Sequence, residues 1–267
     1  MDPGEPFGDP RQREDDPAEP AIRGLLGLAE LGLRVPWLRE RWQQEPIAGL
    51  ALVLERIAER GQLADTRARE ALLAVALGLV LERGSSLLPR LREEARRGAW
   101  LNLDRLVREG PDETPEFEGE ARVPIYHKDR ELTLGERRSL ARRPTRLELG
   151  KMLFDPDPLV LRQLLVCTKL TEDDVIRVAA QRPARVLALE TLVASFRWMA
   201  RRRIRLTLIL NPGCPHGIAL PLISVCPRDD LELVVSSTTI KPHLRAVALE
   251  ILERLPPLAP PTGAELQ

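Results

Sequence analysis

The hexapeptide pattern Ala-x-Arg-Pro-x-Arg occurs twice in the chain, as ARRPTR from residue 141 and as AQRPAR from residue 180, and a leucine-rich run follows each copy. Proline lacks an amide hydrogen and disfavours helix in the residue before it. We therefore expect Pro144 and Pro183 to end one helix each and to separate it from the next. The interval between the copies, about 40 residues, predicts stacked pairs of short helices.

The apolar composition favours helices throughout. Hydrophobic residues make up 43% of the 267 residues, whereas aromatic residues make up only 3%. Leu, Ala and Val dominate and runs of β-branched residues are scarce, so we predict an all-α fold. The longest uninterrupted apolar run is ALLAVALGLVL, from Ala71 to Leu81. A membrane-spanning helix needs about 20 such residues and this run is much shorter, so we predict a buried core helix here and no membrane insertion.

Changes in composition along the chain predict five segments. Residues 1–20 hold seven acids and two arginines among prolines and glycines, which is typical of a disordered acidic tail. A second stretch rich in proline and acidic residues follows the first predicted helical segment and indicates a linker. The predicted organisation is the tail 1–20, an N-terminal helical domain 21–108, an acidic linker 109–128, a repeat domain 129–255 and a flexible tail 256–267.

Helix signals in the repeat domain are regular. Thr133 precedes Glu136 by three residues, and Thr171 precedes Asp174 by the same spacing. In such capping boxes the hydroxyl accepts from a backbone amide of the first turn and the carboxylate accepts from the cap residue. We expect helices to begin after both threonines and a further helical run to end at Asn211, before Pro212.

One segment carries a resemblance to a known family. The sequence LFDPDPLVLRQLLV, from residue 153, resembles the turn and second helix of a HEAT repeat, with Asp155, Pro156, Val160 and Arg162 at the matching positions. Residues 130–255 as a whole also resemble HEAT-like or leucine-rich-variant repeats of bacterial proteins. The resemblance implies a C-terminal α-solenoid of about three repeats, with Asp155 capping the second helix and Arg162 pairing with acids along the stack.

Basic residues concentrate in the second half. The chain has no net charge, but residues 141–205 carry 14 basic and seven acidic side chains. Helical repeats can present such residues to phosphates, and a tryptophan beside them can stack on a base. The alternative is that the tryptophan is a core anchor and that the arginines pair with Asp173, Asp174 or Glu190. The candidate binding residues are Arg143, Arg182, Arg185, Trp198, Arg201, Arg202, Arg203 and Arg205.

Metal and catalytic sites are disfavoured. Cys214, His216 and Cys226 offer one Cys-x-His unit without the second pair that a zinc site needs. His127, His216 and His243 could join a cysteine in a triad, but no nucleophile elbow or phosphate loop accompanies them. We predict no metal, no cofactor and no catalytic residue. Three cysteines and the lack of a signal-peptide pattern indicate a cytoplasmic setting.

These observations favour a non-catalytic scaffold or adaptor that binds another protein through a helical-repeat surface. A nucleic-acid-binding HEAT-like protein that uses residues 201–205 is the alternative. Alkylpurine DNA glycosylases are similar in architecture, but they surround a lesion with aromatic residues, and only Trp198 lies near these arginines. The sequence leaves the partner and the oligomeric state open.

Overall fold

The computed structural model of the chain describes residues 16–63, 65–110, 123–126 and 130–255. Sixteen α-helices and no strand occur in these ranges, which confirms the all-α prediction. The first half contains α1 (Glu19–Leu26), α2 (Leu31–Gln44), α3 (Ile47–Gln62), α4 (Thr66–Leu81), α5 (Leu87–Gly98) and α6 (Leu101–Val107). The second half contains α7 (Leu134–Arg142), α8 (Arg146–Met152), α9 (Pro158–Leu165), α10 (Glu172–Ala179), α11 (Val186–Val193), α12 (Phe196–Met199), α13 (Arg202–Ile209), α14 (His216–Ile223), α15 (Arg228–Ser236) and α16 (Pro242–Leu252).

Helix α4 is the central helix of the first half, as its long apolar run predicts. It is buried along most of its length and packs against α1, α2 and α3. The Asp65 carboxylate caps its N-terminus by accepting from the amides of Arg67 and Ala68 at 3.0 and 3.1 Å. A side chain at Gly78 would meet the Trp42 ring at 2.7 Å, so the close approach of α2 requires glycine.

Most helices of the second half fall into two alternating series. The first series is α8, α10, α13 and α15, whose N-caps are Thr145, Thr171, Arg201 and Pro227. The second is α9, α11, α14 and α16, whose N-caps are Asp157, Arg185, Pro215 and Lys241. Successive N-caps within each series are closer in the chain than the two hexapeptide copies are. Helix pairs therefore recur with a shorter period than the hexapeptide pattern suggested.

The two copies of the hexapeptide consequently stand at different junctions. Pro144 lies between α7 and α8, and α7 packs against α9 of the second series. Pro183 lies between α10 and α11, and α10 packs against α13 of the first series. Pro144 is buried and Pro183 is exposed. Both prolines follow helix ends, but Arg143 and Arg182 do not occupy the equivalent positions that an exact repeat would give them.

Contacts join the two halves. Helix α14 packs against α4 and α6, and α12 packs against α2. Glu250 of α16 accepts from the guanidinium groups of Arg105 at 3.1 Å and Arg108 at 3.0 Å. Buried apolar side chains from both halves belong to one cluster. The 109–128 linker and the 256–267 tail lie largely or wholly outside the described residues.

The end of the predicted acidic tail is part of the fold. Residues 1–15 lie outside the described range, but Ala18 is fully buried and Glu19 begins α1. The carboxylates of Asp16 and Glu19 accept from Arg60 at 3.0 and 3.1 Å. Pairing with a buried guanidinium holds these two acids against the fold, whereas the composition alone predicted that they belong to a disordered tail.

No helix in the part of the chain that the structure describes has both the length and the apolar character to cross a membrane. The longest, α3 and α4, have 16 residues each.

Candidate interaction surface

Ion pairs near the N-termini join successive helices of the first series. Arg146, the first residue of α8, donates to both carboxylate oxygens of Asp174 in α10 at 2.6 and 2.7 Å. Arg202, the first residue of α13, donates in the same way to Asp230 of α15, both distances being 2.8 Å. The partners are 28 residues apart in each pair. The carboxylates are buried, whereas the arginine side chains are 61% and 51% exposed.

Between these two ion pairs, α10 and α13 are joined by a third in which the acid lies on the earlier helix and the arginine on the later one. Asp173 of α10 accepts from Arg203 of α13 at 3.3 Å. Both side chains are mostly exposed, so water screens this pair more than its neighbours. Each of the three steps of the first series, from α8 to α15, is therefore bridged by an ion pair.

Asp174 has a second role as the capping-box residue of α10. Its carboxylate accepts from the Thr171 hydroxyl and amide at 2.7 and 3.1 Å, and the Thr171 hydroxyl accepts from the Asp174 amide. Donation from Arg146 and from Thr171 lowers the pKa of Asp174 to about 2, although burial acts in the opposite direction. The carboxylate is therefore ionised near the positive end of the helix dipole, where a negative charge is favourable.

The predicted capping boxes at Thr133 and Thr171 are both present. The structure contains a third, formed by Thr145 and Glu148 at the start of α8. Donation from Arg130 and from Thr133 lowers the pKa of Glu136, the carboxylate of the first box, to about 2. Three short helices of the second half thus begin at the same local arrangement.

The structure corrects the role that the HEAT resemblance implied for Asp155. The cap of α9 is Asp157, whose carboxylate accepts from the Leu159 amide at 2.8 Å. Asp155 is instead buried, where it accepts from the Tyr126 hydroxyl at 2.6 Å and from Arg137. Burial and this hydrogen bond raise the pKa of Tyr126, so the phenol stays protonated. Asp155, in the turn between α8 and α9, therefore connects Tyr126 to α7.

Two further predicted structural positions have different outcomes. Arg162 is exposed and forms no ion pair with any residue in the described ranges, so the implied pairing along the stack is wrong there. The Asn211 amide donates to the carbonyls of Ala179 at 2.8 Å and Gln181 at 3.1 Å. Asn211 thereby connects the turn after α13 to the end of α10.

Trp198 is a core residue. Its side chain belongs to the buried cluster with 4% exposure, and its indole N–H donates to the Leu165 carbonyl at 2.8 Å. Arg197 lies over the ring with its guanidinium carbon 4.8 Å from the centroid. The ring faces are not open to a nucleic-acid base, and this placement agrees with the alternative that treated Trp198 as an anchor.

The remaining candidate arginines differ in exposure and in their hydrogen-bond partners. Arg205 is half-buried, donates to the Met199 carbonyl at 2.6 Å, and has a pKa that burial lowers. Arg185 donates to the Phe154 carbonyl, and Arg182 to the Leu210 carbonyl at 3.4 Å. Arg143 and Arg201 are exposed and have no ion-pair partner among the residues with described structure.

Three exposed apolar side chains lie on neighbouring segments that sequence reasoning did not single out. Ile125 is 74% exposed, Phe154 44% and Leu187 59%. Lys151 of α8 donates to the Ile125 carbonyl at 2.8 Å, and Arg185 at the start of α11 donates to the Phe154 carbonyl. These contacts bring the three segments together. We refer to Ile125, Phe154 and Leu187 as the apolar patch.

The histidine and cysteine candidates occupy packed positions. The His216 ring lies 4.9 Å from the His243 ring, centroid to centroid, and its Nε2 lies 2.9 Å from the Arg108 carbonyl. Burial raises the pKa of Cys226 to about 12, so its thiol is protonated and a poor nucleophile. Among the described residues, no group of three or more His, Cys, Asp or Glu side chains is arranged to hold a metal ion. His127 lies outside them.

A cavity of about 340 Å³ lies between the two halves. The end of α3, the start of α4, the connection from α14 to α15 and the end of α16 line it. Two of its lining residues, Gln62 and Ser224, are buried and carry polar atoms without a hydrogen-bond partner. Neither residue belongs to a sequence motif, and tertiary packing alone brings them to one cavity.

Comparison of the chain with protein-family models, with curated proteins and with solved structures gives no match, so the helix contacts and side-chain geometry are the basis for any functional conclusion.

Proposed function

We propose that the chain is a non-catalytic scaffold or adaptor that binds another protein through the apolar patch. The observation that carries this proposal is the exposure of Ile125, Phe154 and Leu187 on segments joined by hydrogen bonds. Single exposed apolar residues are ordinary, but a group of them is typical of a protein-binding surface. A partner that covers the patch removes apolar surface from water without requiring any reactive group.

The proposal includes a HEAT-like α-solenoid in the second half. Its support is the regular recurrence of helix pairs and the order of contacts, in which α7 packs on α9 and α9 packs on α11. A stacked array keeps the connections between helices at one edge, where side chains of several repeats can meet a partner. The apolar patch combines Phe154, from the connection between α8 and α9, with Leu187 at the start of α11 and Ile125 of residues 123–126.

The charge distribution favours a protein partner over a nucleic acid. Arg146, Arg202 and Arg203 form ion pairs within the chain, which reduces the charge that they offer to phosphates. The burial of Trp198 removes the aromatic surface that base stacking needs. A glycosylase-type enzyme has the same difficulty, because it also needs aromatic side chains around the base.

Replacement of the patch tests the proposal. The variant Ile125→Ser/Phe154→Ser/Leu187→Ser is compared with wild type and with a matched control, Leu33→Ser/Leu101→Ser/Leu249→Ser, whose residues are 55%, 45% and 44% exposed. Proteins retained by each immobilised chain from a lysate of the source organism are quantified, and any partner is then purified for direct binding measurements. We expect a partner that the control retains and the patch variant loses.

Two results would overturn the proposal. One is a partner whose purified form binds the patch variant as tightly as wild type. The other is binding of nucleic acid with an affinity that falls steeply with salt and disappears in Arg201→Ala/Arg202→Ala/Arg203→Ala.

A further inference from the structure

Two cations border the apolar patch. Lys151 of α8 donates to the Ile125 carbonyl at 2.8 Å, and Arg185 at the start of α11 donates to the Phe154 carbonyl. Each of these hydrogen bonds ends on the backbone of a patch residue, so both positive charges lie next to the exposed apolar side chains. Lys151 and Arg185 are themselves partly exposed.

Arg185 also lies next to the segment that carries Ile125. Burial and the hydrogen bond to Asp155 raise the pKa of Tyr126, and the positive charge of Arg185 acts against this rise. Charges act over short distances in salt solution, since the screening length is about 10 Å at 0.1 M. Arg185 is therefore close to the Tyr126 phenol as well as to Phe154.

Neither cation is neutralised by a carboxylate that the structure describes. Lys151 and Arg185 form no ion pair within residues 16–63, 65–110, 123–126 and 130–255. An ammonium group has three donors and a guanidinium group has five, and each group uses one of them on a backbone carbonyl. The other donors of both side chains can bind a carboxylate from outside the chain.

The acidic side chains on the patch segments have other partners. Asp155 is buried in the hydrogen bonds described above, and the Asp157 carboxylate caps α9. Glu148 takes part in the capping box of α8. Glu190 of α11 lies 2.8 Å from Arg83 in the first half. The patch therefore combines exposed apolar side chains with two positive charges whose partners are not these acids.

We infer that the partner of the apolar patch is a protein segment in which aspartate or glutamate residues flank bulky apolar side chains. This inference rests on the proposed function, because it describes the partner of that same surface. Apolar side chains of the segment cover the patch, and its carboxylates accept from Lys151 and Arg185. Complementary charges of this kind determine which partner is selected more than they add affinity.

A membrane that contains anionic lipids offers apolar and negatively charged groups too, but the number of cations disfavours it. Recognition of such a surface usually takes a cluster of about four to eight basic residues. The patch is bordered by two, Lys151 and Arg185. A peptide segment needs only two carboxylates to match them.

Selection from a library of random dodecapeptides displayed on phage tests the inference. The full chain is immobilised, and phage that bind the variant Ile125→Ser/Phe154→Ser/Leu187→Ser are removed beforehand. We expect the retained peptides to be enriched in Asp and Glu, and also in Phe, Leu and Ile, relative to the starting library.

Neutral variants then measure the contribution of the two charges to the binding of a retained peptide. Lys151→Gln/Arg185→Gln removes both charges, although glutamine can still donate to a carbonyl. We expect it to weaken binding about fivefold in fluorescence anisotropy, which is the size of an exposed ion pair. The control Arg201→Gln/Arg254→Gln changes the net charge equally at two exposed arginines outside the patch segments and should leave the affinity unchanged. The affinity of wild type should also fall as NaCl is added, which tests the charges without any substitution.

The possible failures separate this inference from the proposed function. Patch-dependent peptides without acidic enrichment, or with an affinity that both salt and Lys151→Gln/Arg185→Gln leave unchanged, would overturn the inference and leave the proposed function standing. Recovery of no patch-dependent peptide would also overturn the inference, whereas the proposed function fails when a purified partner binds the patch variant as tightly as wild type. Binding to phosphatidylserine vesicles that only the patch variant loses would overturn both, because it would assign the patch to a membrane.

Discussion

The two halves of the molecule differ in helix length and in how many charges meet at one point, although ion pairs between helices, such as that of Arg34 with Glu70, also occur in the first half. In the first half, α2, α3 and α4 have 14, 16 and 16 residues, and one buried arginine, Arg60, holds three acids at a single point. In the second half, the shortest helix, α12, has 4 residues and the longest, α16, has 11 residues. Ion pairs there are distributed from one helix to the next. Isolated helices shorter than about 12 residues are marginal in water, so the short helices also depend on caps and neighbours, whereas the long ones are stabilised chiefly by a common core.

Among the substitutions that test this difference between the halves, Arg60→Ala should lower the free energy of unfolding most. Arg60→Ala leaves the carboxylates of Asp16, Glu19 and Asp65 without their common partner, and such a loss typically costs about 3 to 5 kcal/mol. The control Arg56→Ala removes an exposed pair with Glu59 and should change the free energy of unfolding by less than about 1 kcal/mol. Urea denaturation measures both. Equal effects would show that the three acids do not depend on Arg60.

In the second half, the buried member of an ion pair should matter more than the exposed one. Asp174→Ala removes hydrogen bonds to Arg146 and Thr171 and should lower the free energy of unfolding by about 2 to 3 kcal/mol. Its neighbour Asp173 is exposed, so Asp173→Ala should cost less than about 1 kcal/mol. The same urea experiment compares them. Similar costs for the two variants would mean that the Asp174 pair contributes little.

Loss of a single cap should have a smaller effect. Thr145→Ala and Thr171→Ala each remove the hydroxyl that accepts from a first-turn amide, and we expect about 1 kcal/mol for each. Thr207→Ala is the matched control, because its hydroxyl donates only to the carbonyl of Arg203 within α13. Alanine favours helix at such a position, so the control should be neutral or slightly stabilising. Unchanged free energies of unfolding for Thr145→Ala and Thr171→Ala would show that these caps do not stabilise the short helices.

The pH dependence of stability tests the Asp174 ion pair in a second way. Donation from Arg146 keeps the pKa of Asp174 at about 2 in the folded chain, below the value of an unfolded aspartate. The stabilisation is therefore fully present above about pH 4 and is lost as the pH falls from about 4 to 2. Wild type should lose more stability over this interval than Asp174→Asn, which cannot titrate. Parallel pH profiles of the two chains would contradict the lowered pKa.

The sequence predicted those features of the fold that depend on neighbouring residues. The buried helix α4 followed from its apolar run, and two capping boxes followed from Thr133 and Thr171. The HEAT resemblance implied that Asp155 caps α9, whereas Pro158 at the first helical position indicates Asp157. Local patterns identify helix ends well, but two similar patterns in succession need the position of the proline to separate them.

The spacing of the helix pairs differs from that of the most visible sequence pattern. The two Ala-x-Arg-Pro-x-Arg copies lie at different junctions, whereas Arg146 and Asp174, and again Arg202 and Asp230, are ion-paired residues 28 residues apart. The sequence contains this spacing of 28 residues twice, each time with an arginine at its start and an aspartate at its end. The proximity of Gln62 and Ser224 could not be predicted from the sequence. They lie in opposite halves of the chain, and only the packing of α14 against the first half brings them to one cavity.

The claim that N-terminal ion pairs join successive short helices is tested most directly by a double-mutant cycle on Arg202 and Asp230. The cycle compares the free energies of unfolding of wild type, Arg202→Ala, Asp230→Ala and the double variant. We predict a favourable coupling of about 1 kcal/mol, kept below that of a fully buried pair by the exposure of Arg202. A coupling indistinguishable from zero would contradict the claim and leave Arg202 available to a partner outside the chain.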